Sequence, residues 1–155
     1  MEKEFYALAR DIVTTKEFAG MRNYQHHVKG SVYGHSLKVA YLCYRHCKHF
    51  GTDLDLREVV RGALLHDFYL YDWHDWLPEH RLHLFTHPQC ALKNALKHYP
   101  DLTVRERDMI RNHMFPIIPF SLPRTKAGWL ICLYDKVAAI SDYLGENTWK
   151  KRQQI

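Results

Sequence analysis

No run of apolar residues in this 155-residue chain approaches the roughly 18 needed to cross a bilayer, which excludes a membrane-spanning helix. The opening Met1-Glu2-Lys3-Glu4 carries both signs of charge and lacks the apolar core of a secretory signal, so the chain reads as cytoplasmic with no membrane partner. Cysteine is sparse, at four, and no Cys-x-x-Cys pair occurs. Cys43 and Cys47 would share a helix face, but buried free thiols in a reducing compartment are the better reading than a soft metal site. There is no long basic block. Lys150-Lys151-Arg152 is short and terminal, and nothing else argues for nucleic acid. Internal repeats and low-complexity tracts are absent, and strand signals are scarce.

What is present is a helical period throughout. Apolar residues make up 46% of the chain, enough for one substantial core, and the whole of 1–155 reads as a single domain. The pattern predicts an all-α bundle of about six helices. The first runs from about Glu2 to Phe18 and the second from Val32 to Phe50, ended by Gly51. A third opens at Asp55, with Glu58 as its capping-box partner, and ends at His66-Asp67. Residues 68–85 break the period with aromatic and histidine residues and predict a long loop of the kind that is often functional. Thr86 is expected to cap a fourth helix, with Pro88 in its first turn, and Thr103 with Glu106 a fifth that ends near His113. Residues 114–123 hold three prolines and predict a shaped loop. The last helix covers about Thr125 to Leu144, with Trp129, Leu133, Val137 and Ile140 as its apolar stripe, and 146–155 reads as a frayed tail.

Twelve histidines in 155 residues is the outlier of the composition. The sharpest of them sits in Ala63-Leu64-Leu65-His66-Asp67, where an apolar helix runs into an adjacent imidazole and carboxylate. Such a pair is costly to bury without a partner. A metal ion answers that cost, since it needs a neutral imidazole nitrogen and an ionised oxygen together. His35, His87, His113 and Asp135 supply further donors at helix-sized intervals, so that every predicted helix after the first contributes to one ligand set, as bundle metal sites require.

The ordered pieces Tyr33-Gly34-His35-Ser36-Leu37-Lys38, Ala63-Leu64-Leu65-His66-Asp67 and Tyr134-Asp135-Lys136-Val137 resemble the H…HD…D pattern of the HD-domain superfamily of metal-dependent phosphohydrolases, over about residues 30–143. A wider likeness, through Gln25-His26-His27 and Leu70-Tyr71-Asp72-Trp73-His74, is to small bacterial HD proteins. The resemblance implies a metal held by His35, His66, Asp67 and Asp135. In the two-metal subset of the superfamily, His87 and His113 would take a second ion, with Asp67 as the bridge. It then implies two divalent transition metals (iron, manganese, or another such as nickel, cobalt or zinc) and attack on a phosphate ester by a metal-activated hydroxide. A small anionic phosphorylated substrate suits the formal charge of +5.

Around that set, Lys38 and Lys136 are candidate phosphate contacts, and Lys136 follows the last Asp as is usual in the superfamily. His27 and His74 are candidate acid–base groups, and Trp73 a candidate surface for stacking on a base. The aromatic excess leaves room for a self-association surface. Two departures narrow the chemistry. Met114-Phe115-Pro116-Ile117 stands where cyclic-dinucleotide phosphodiesterases carry Gly-Tyr-Pro, and Phe68-Tyr69-Leu70 where they carry Ile-Gly-Lys. The glutamate that deoxynucleotidases place soon after the HD pair has only Asp72 and Asp75 as stand-ins. The same four histidines and two aspartates also resemble the ligands of HD-fold di-iron oxygenases, which cleave a small diol or phosphonate. A non-catalytic, nucleotide-sensing HD module is the third expectation.

Overall fold

The computed structural model describes residues 3–26, 30–74, 77 and 82–144. Among them the chain is all-helical: α1 (Lys3–Val13), α2 (Lys16–Gly20), a 3-10 turn (Met21–Asn23), α3 (Val32–Phe50), α4 (Leu56–Leu65), α5 (His83–His98), α6 (Val104–Asn112) and α7 (Lys126–Tyr143). The expectation of an all-α bundle holds. No helix among the described residues is long and apolar enough to cross a membrane.

Helix α4 is the hub. It packs on α3, α6 and α1, and touches α5. Val59, Val60, Ala63, Leu64 and Leu65 are all 1% exposed or less. Asp55 starts the helix by accepting from the N–H groups of Arg57 and Glu58. Glu58 does not complete the expected box, because its carboxylate turns to Arg105 on α6, 3.0 Å away. The core continues through Phe5, Phe18, Met21, Tyr44, Phe68, Met109, Ile110 and Ile131, all fully buried. Burying an aliphatic or aromatic side chain of this kind stabilises the fold by about 1.5–3 kcal/mol. Cys43, Cys47 and Cys132 are buried free thiols.

Two boundaries and one helix face differ from the sequence reading. The first helix breaks at Thr14-Thr15. The Thr14 hydroxyl donates back to Arg10 O at 2.6 Å, and Thr15 Oγ1 accepts from Phe18 N, so the pair ends α1 and caps α2. Helix α5 begins a turn before Thr86, at His83, and the Thr86 hydroxyl donates to Leu82 O instead of capping. Pro88 thus lies inside α5, and the preceding loop is shorter than expected. The third difference is the face of α7. Trp129, Leu133, Val137 and Ile140 are 42–60% exposed, while Ala127, Leu130, Ile131 and Ala138 line the core. A helix that is apolar on nearly every side gives no period from which to choose the inward face.

The register of α7 is set by a buried carboxylate on α6. Asp108 accepts from Arg124 N, from Thr125 N and Oγ1, and from Asn112 Nδ2, at 2.7–3.1 Å. Gly128 gives it room, because a Cβ there would collide with Asp108 Oδ2. Gly51 closes α3 in the left-handed region, with φ +58°.

Asp108→Ala strands these donors next to the core, and should lower unfolding stability by about 3 kcal/mol. Urea denaturation reads this as a lower midpoint with an unchanged slope. A midpoint within error of the parent chain would mean that Asp108 does not hold the start of α7.

Candidate metal centre

Six side chains from five helices or helix ends converge at the C-terminal end of α4. His66 is the residue at which α4 stops, and Asp67 follows it. His35 comes from the first turn of α3, His87 from the second turn of α5, His113 from the end of α6, and Asp135 from the middle of α7. All six are buried, with exposures of 0–8%. The structure therefore brings together every residue that the sequence singled out as a metal donor.

Three of the rings are aimed by their own helices. His66 Nδ1 donates to Ala63 O at 2.8 Å, His87 Nδ1 to His83 O at 2.9 Å, and His113 Nδ1 to Ile110 O at 2.9 Å. Each bond fixes the ring's orientation and aims Nε2 inward, as a bare lone pair where the imidazole is neutral. His87 Nε2 and His113 Nε2 stand only 3.0 Å apart. Two lone pairs at that distance repel unless a cation or proton lies between them. Among the described residues, His66 Nε2 and Asp67 Oδ1 have no hydrogen-bond partner. Orphaned buried atoms of this kind call for an explanation, and a transition-metal ion supplies it, because the donors are imidazole nitrogens and carboxylate oxygens throughout.

Asp67 is the centre of the array. Its Oδ1 lies 3.4 Å from His87 Nε2 and 3.5 Å from His113 Nε2. Its Oδ2 lies 3.4 Å from His66 Nε2 and 3.6 Å from His26 Nε2. Asp135 Oδ1 lies 2.9 Å from His35 Nε2 and 3.6 Å from His66 Nε2. Donors about 2.1 Å from a shared ion, at angles of 90–110°, stand about 3.0–3.5 Å apart. Two groups, His35–His66–Asp135 and His66–Asp67–His113, each have their donor atoms within 4.8 Å of one another.

The electrostatics follow from burial and from these pairs. Burial works against the charge of Asp67, but His66, His26 and His87 outweigh it and hold the carboxyl well below its usual range. Asp135 is held down in the same way, by His35, His66 and Lys136 against burial. Burial also opposes a charge on His66, yet Asp67 and Asp135 push its pKa up to about 10. Burial first, and then the charge of His66, push His113 down to about 3, and burial lowers His87. Without an ion, a proton on His66 therefore answers the two carboxylates.

Around this shell the structure supplies groups that the sequence reading passed over. Asp142, seven residues after Asp135 on α7, faces His35 Nδ1 at 3.5 Å. Asn94 on α5 donates to the carbonyls of Phe68 and Tyr69 at 3.1 and 2.8 Å, pinning the chain just after Asp67. Leu70 follows in the left-handed region, with φ 59°, an uncommon conformation for such a side chain. His26 is 5% exposed and its ring stacks on His35, 3.7 Å between centroids. Its place in Gln25-His26-His27 is the one signal in the sequence, where His27 is the expected site residue.

Other expected site residues fall elsewhere. The expectation that Lys38 contacts phosphate is corrected. Lys38 is buried, and its three N–H groups go to Asp142, Ser141 and Ala138 O, at 2.7, 3.0 and 3.4 Å. It holds α3 to α7 and neutralises Asp142. Lys136 donates to Asp135 Oδ2 and to His113 O, so it spans two donor-bearing helices. Trp73 is half-buried, donates to Gln25 O, and is in ring contact with His74 and His83, so stacking on a base would have to compete with the chain's own rings. His74 pairs with Asp72 at 3.1 Å near the surface. His27, Asp75, Trp76 and the 146–155 tail lie outside the described residues.

The sequence model described as HD domain matches residues 32–145. The chain belongs to the HD domain family. Its matched span runs from the start of α3, which carries His35, to just past the end of α7, which carries Asp135. Members of this family are commonly metal-dependent phosphohydrolases. No curated protein and no solved structure matches the chain.

Two outcomes follow for this HD domain. A divalent ion such as Mn(II) at 100 times its Kd should stabilise the metal-stripped protein by about 2.7 kcal/mol and raise Tm by roughly 5–10 °C. A chelator should reverse the shift, and His66→Ala should remove it; scanning calorimetry checks both. The second concerns pH. Below pH 10 an entering ion must displace the proton on His66, and His35, where burial is outweighed by Asp135 and Asp142 so that its pKa is raised, can only add to that competition, whereas His87 and His113 are already neutral near pH 7. Affinity should therefore rise with pH, by at least about tenfold per unit between pH 7 and 9. Titrations at three pH values in that range measure the slope, and a flat profile would contradict it.

Proposed function

We propose that this HD protein is a metal-dependent phosphohydrolase acting on a phosphate ester, either a nucleotide or a small phosphorylated metabolite, at a binuclear site. The observation that carries the reading is the setting of Asp67. One of its oxygens faces the His87–His113 pair, and the other faces His66, which also faces Asp135. A carboxylate whose two oxygens serve two donor sets suits a bridge between two ions. In the proposal, His35, His66, Asp67 and Asp135 hold one ion, and Asp67, His87 and His113 the other.

Divalent ions bound there would supply Lewis acidity toward phosphoryl oxygens and a water of lowered pKa. The chain's own part is to orient and to balance charge. The Nδ1 anchors of His66, His87 and His113 keep their Nε2 atoms aimed inward. Lys136 satisfies Asp135 Oδ2 and leaves Oδ1 to the donor set. Lys38 and Asp142 steady His35 from behind. The two carboxylates bring less negative charge than two divalent ions bring positive. The excess favours an anionic phosphate, as does the formal charge of +5 on the whole chain.

The test is a screen of phosphate esters with the Mn(II)- or Fe(II)-loaded protein. The expected result is release of inorganic phosphate, with about two ions bound per chain. Asp67→Asn and Asp135→Asn should each cut turnover by about 1000-fold, the loss that follows when several kcal/mol of transition-state charge stabilisation is removed. Oxygen uptake with a diol or phosphonate, and no ester hydrolysis, would replace this reading by the oxygenase. Ligand-dependent stabilisation with no turnover of either kind would replace it by a sensing module.

A further inference from the structure

Helix α7 is apolar on both sides, but among the described residues only one side is covered. Ala127, Leu130, Ile131 and Ala138 pack into the core. The charged residues Asp135, Lys136 and Asp142 also turn inward, to His35, His113 O and Lys38. Past Lys126, α7 shows to solvent Trp129, Leu133, Val137, Ile140 and Tyr143, followed by the cap residue Leu144, at exposures of 42–71%. None carries a charge. A helix that is apolar all round is ordinarily covered all round. Six large apolar side chains on one face exceed the scattered surface residues of a monomer and mark an interaction surface.

The two ends of this stripe differ in shape. At the N-terminal end, Trp129 and Leu133 line a groove of about 630 Å³ together with the chain at Gly51–Leu54, just after α3. Lys126 and Asp53 pair beside it at 2.9 Å, so the groove offers no unmatched charge there. At the C-terminal end, Ile140, Tyr143 and Leu144 are the most exposed of the six.

We propose that the outer face of α7 is the interface of a homodimer, in which two copies of α7 pack antiparallel about a two-fold axis at Val137. The spacing selects a second copy as the occupant. Trp129, Leu133, Val137, Ile140 and Leu144 fall nearly symmetrically about Val137, so a reversed copy sets Trp129 against Leu144, Leu133 against Ile140, and Val137 against itself. The same operation brings the exposed end of each copy to the groove beside Trp129 on the other, as an isologous contact requires. Pairing an uncharged stripe with itself brings no like charges together, in a chain whose formal charge of +5 would otherwise oppose self-association. The area also suffices. At about 200 Å² for a fully exposed large side chain, the six offer roughly 700 Å² per copy and roughly 1,400 Å² for the pair, within the range of about 1,200–2,000 Å² that specific interfaces bury. The donor Asp135 lies on the opposite side of α7, so the interface does not depend on what the metal centre holds.

Sedimentation equilibrium of the full chain is the test. The parent chain is expected to reach twice its 18.5 kDa mass below roughly 100 µM. Leu133→Asp and Ile140→Asp, at positions more than half exposed in one copy, should keep the helical circular dichroism. Each should raise the dimer Kd by more than roughly 100-fold, because a two-fold contact buries the unpaired carboxylate twice. Val137→Cys, at the axis, should cross-link to its counterpart with a short bismaleimide. The parent chain should not, nor should Lys126→Cys, whose counterparts the same axis holds roughly 30 Å apart. A chain that stays monomeric up to roughly 100 µM overturns the proposal and gives the face to residues 145–155 or to a different protein. A dimer whose Kd neither aspartate variant moves overturns it too, since the contact then lies elsewhere. Cross-linking of Lys126→Cys without Val137→Cys overturns the antiparallel pairing.

Discussion

A carboxylate 5% exposed and ringed by imidazoles is the constraint around which this HD domain is arranged. Asp67 cannot stay ionised in such a place without positive charge beside it, and it cannot be neutralised cheaply, because four imidazole nitrogens lie within 3.6 Å of its two oxygens. The helices serve that requirement. Helix α4 is the most thoroughly packed element and delivers the carboxylate at its end. Helices α3, α5, α6 and α7 each bring one donor to it. The outer groups do the same work one layer out: Lys38 answers Asp142, Lys136 answers Asp135, and Asn94 holds the chain that leaves Asp67.

Much of this was legible before any coordinates. The long helices carry their own punctuation, Ser31 or Thr125 at the start and Gly51 at the end, and those boundaries follow from local chemistry. The six donors were legible because they fall at helix ends or on helix faces at regular intervals, and because the HD doublet interrupts an apolar run. Local rules misled where tertiary structure outbid them. Pro88 reads as a first-turn residue, yet α5 starts five residues earlier. Trp129 and Leu133 read as core, yet the small residues Ala127 and Ala138 are what lets α7 sit close to its neighbours.

The groups missed share a different property. His26, Asp142 and Asn94 are distant in sequence from the residues they serve, or lie in irregular chain, and their role comes from a contact rather than a pattern. Lys38 was misjudged for the same reason. One helical turn from His35 it reads as a hand held out to substrate, but its partner is more than a hundred residues away on α7. A single sequence carries no sign of such a pairing, whereas a helix period is repeated several times over.

The inward-facing rings of His66, His87 and His113 are each tied by Nδ1 to a carbonyl three or four residues back in their own chain. Donor direction is thus written within a single turn, and only donor spacing depends on how the helices pack. A small relative slide of α5 or α6 widens or narrows the centre without turning a lone pair away from it. The bundle therefore works as an adjustable caliper with fixed jaws. An ion held there would find the aim of each ring already set, and only the distances between rings would respond to its radius.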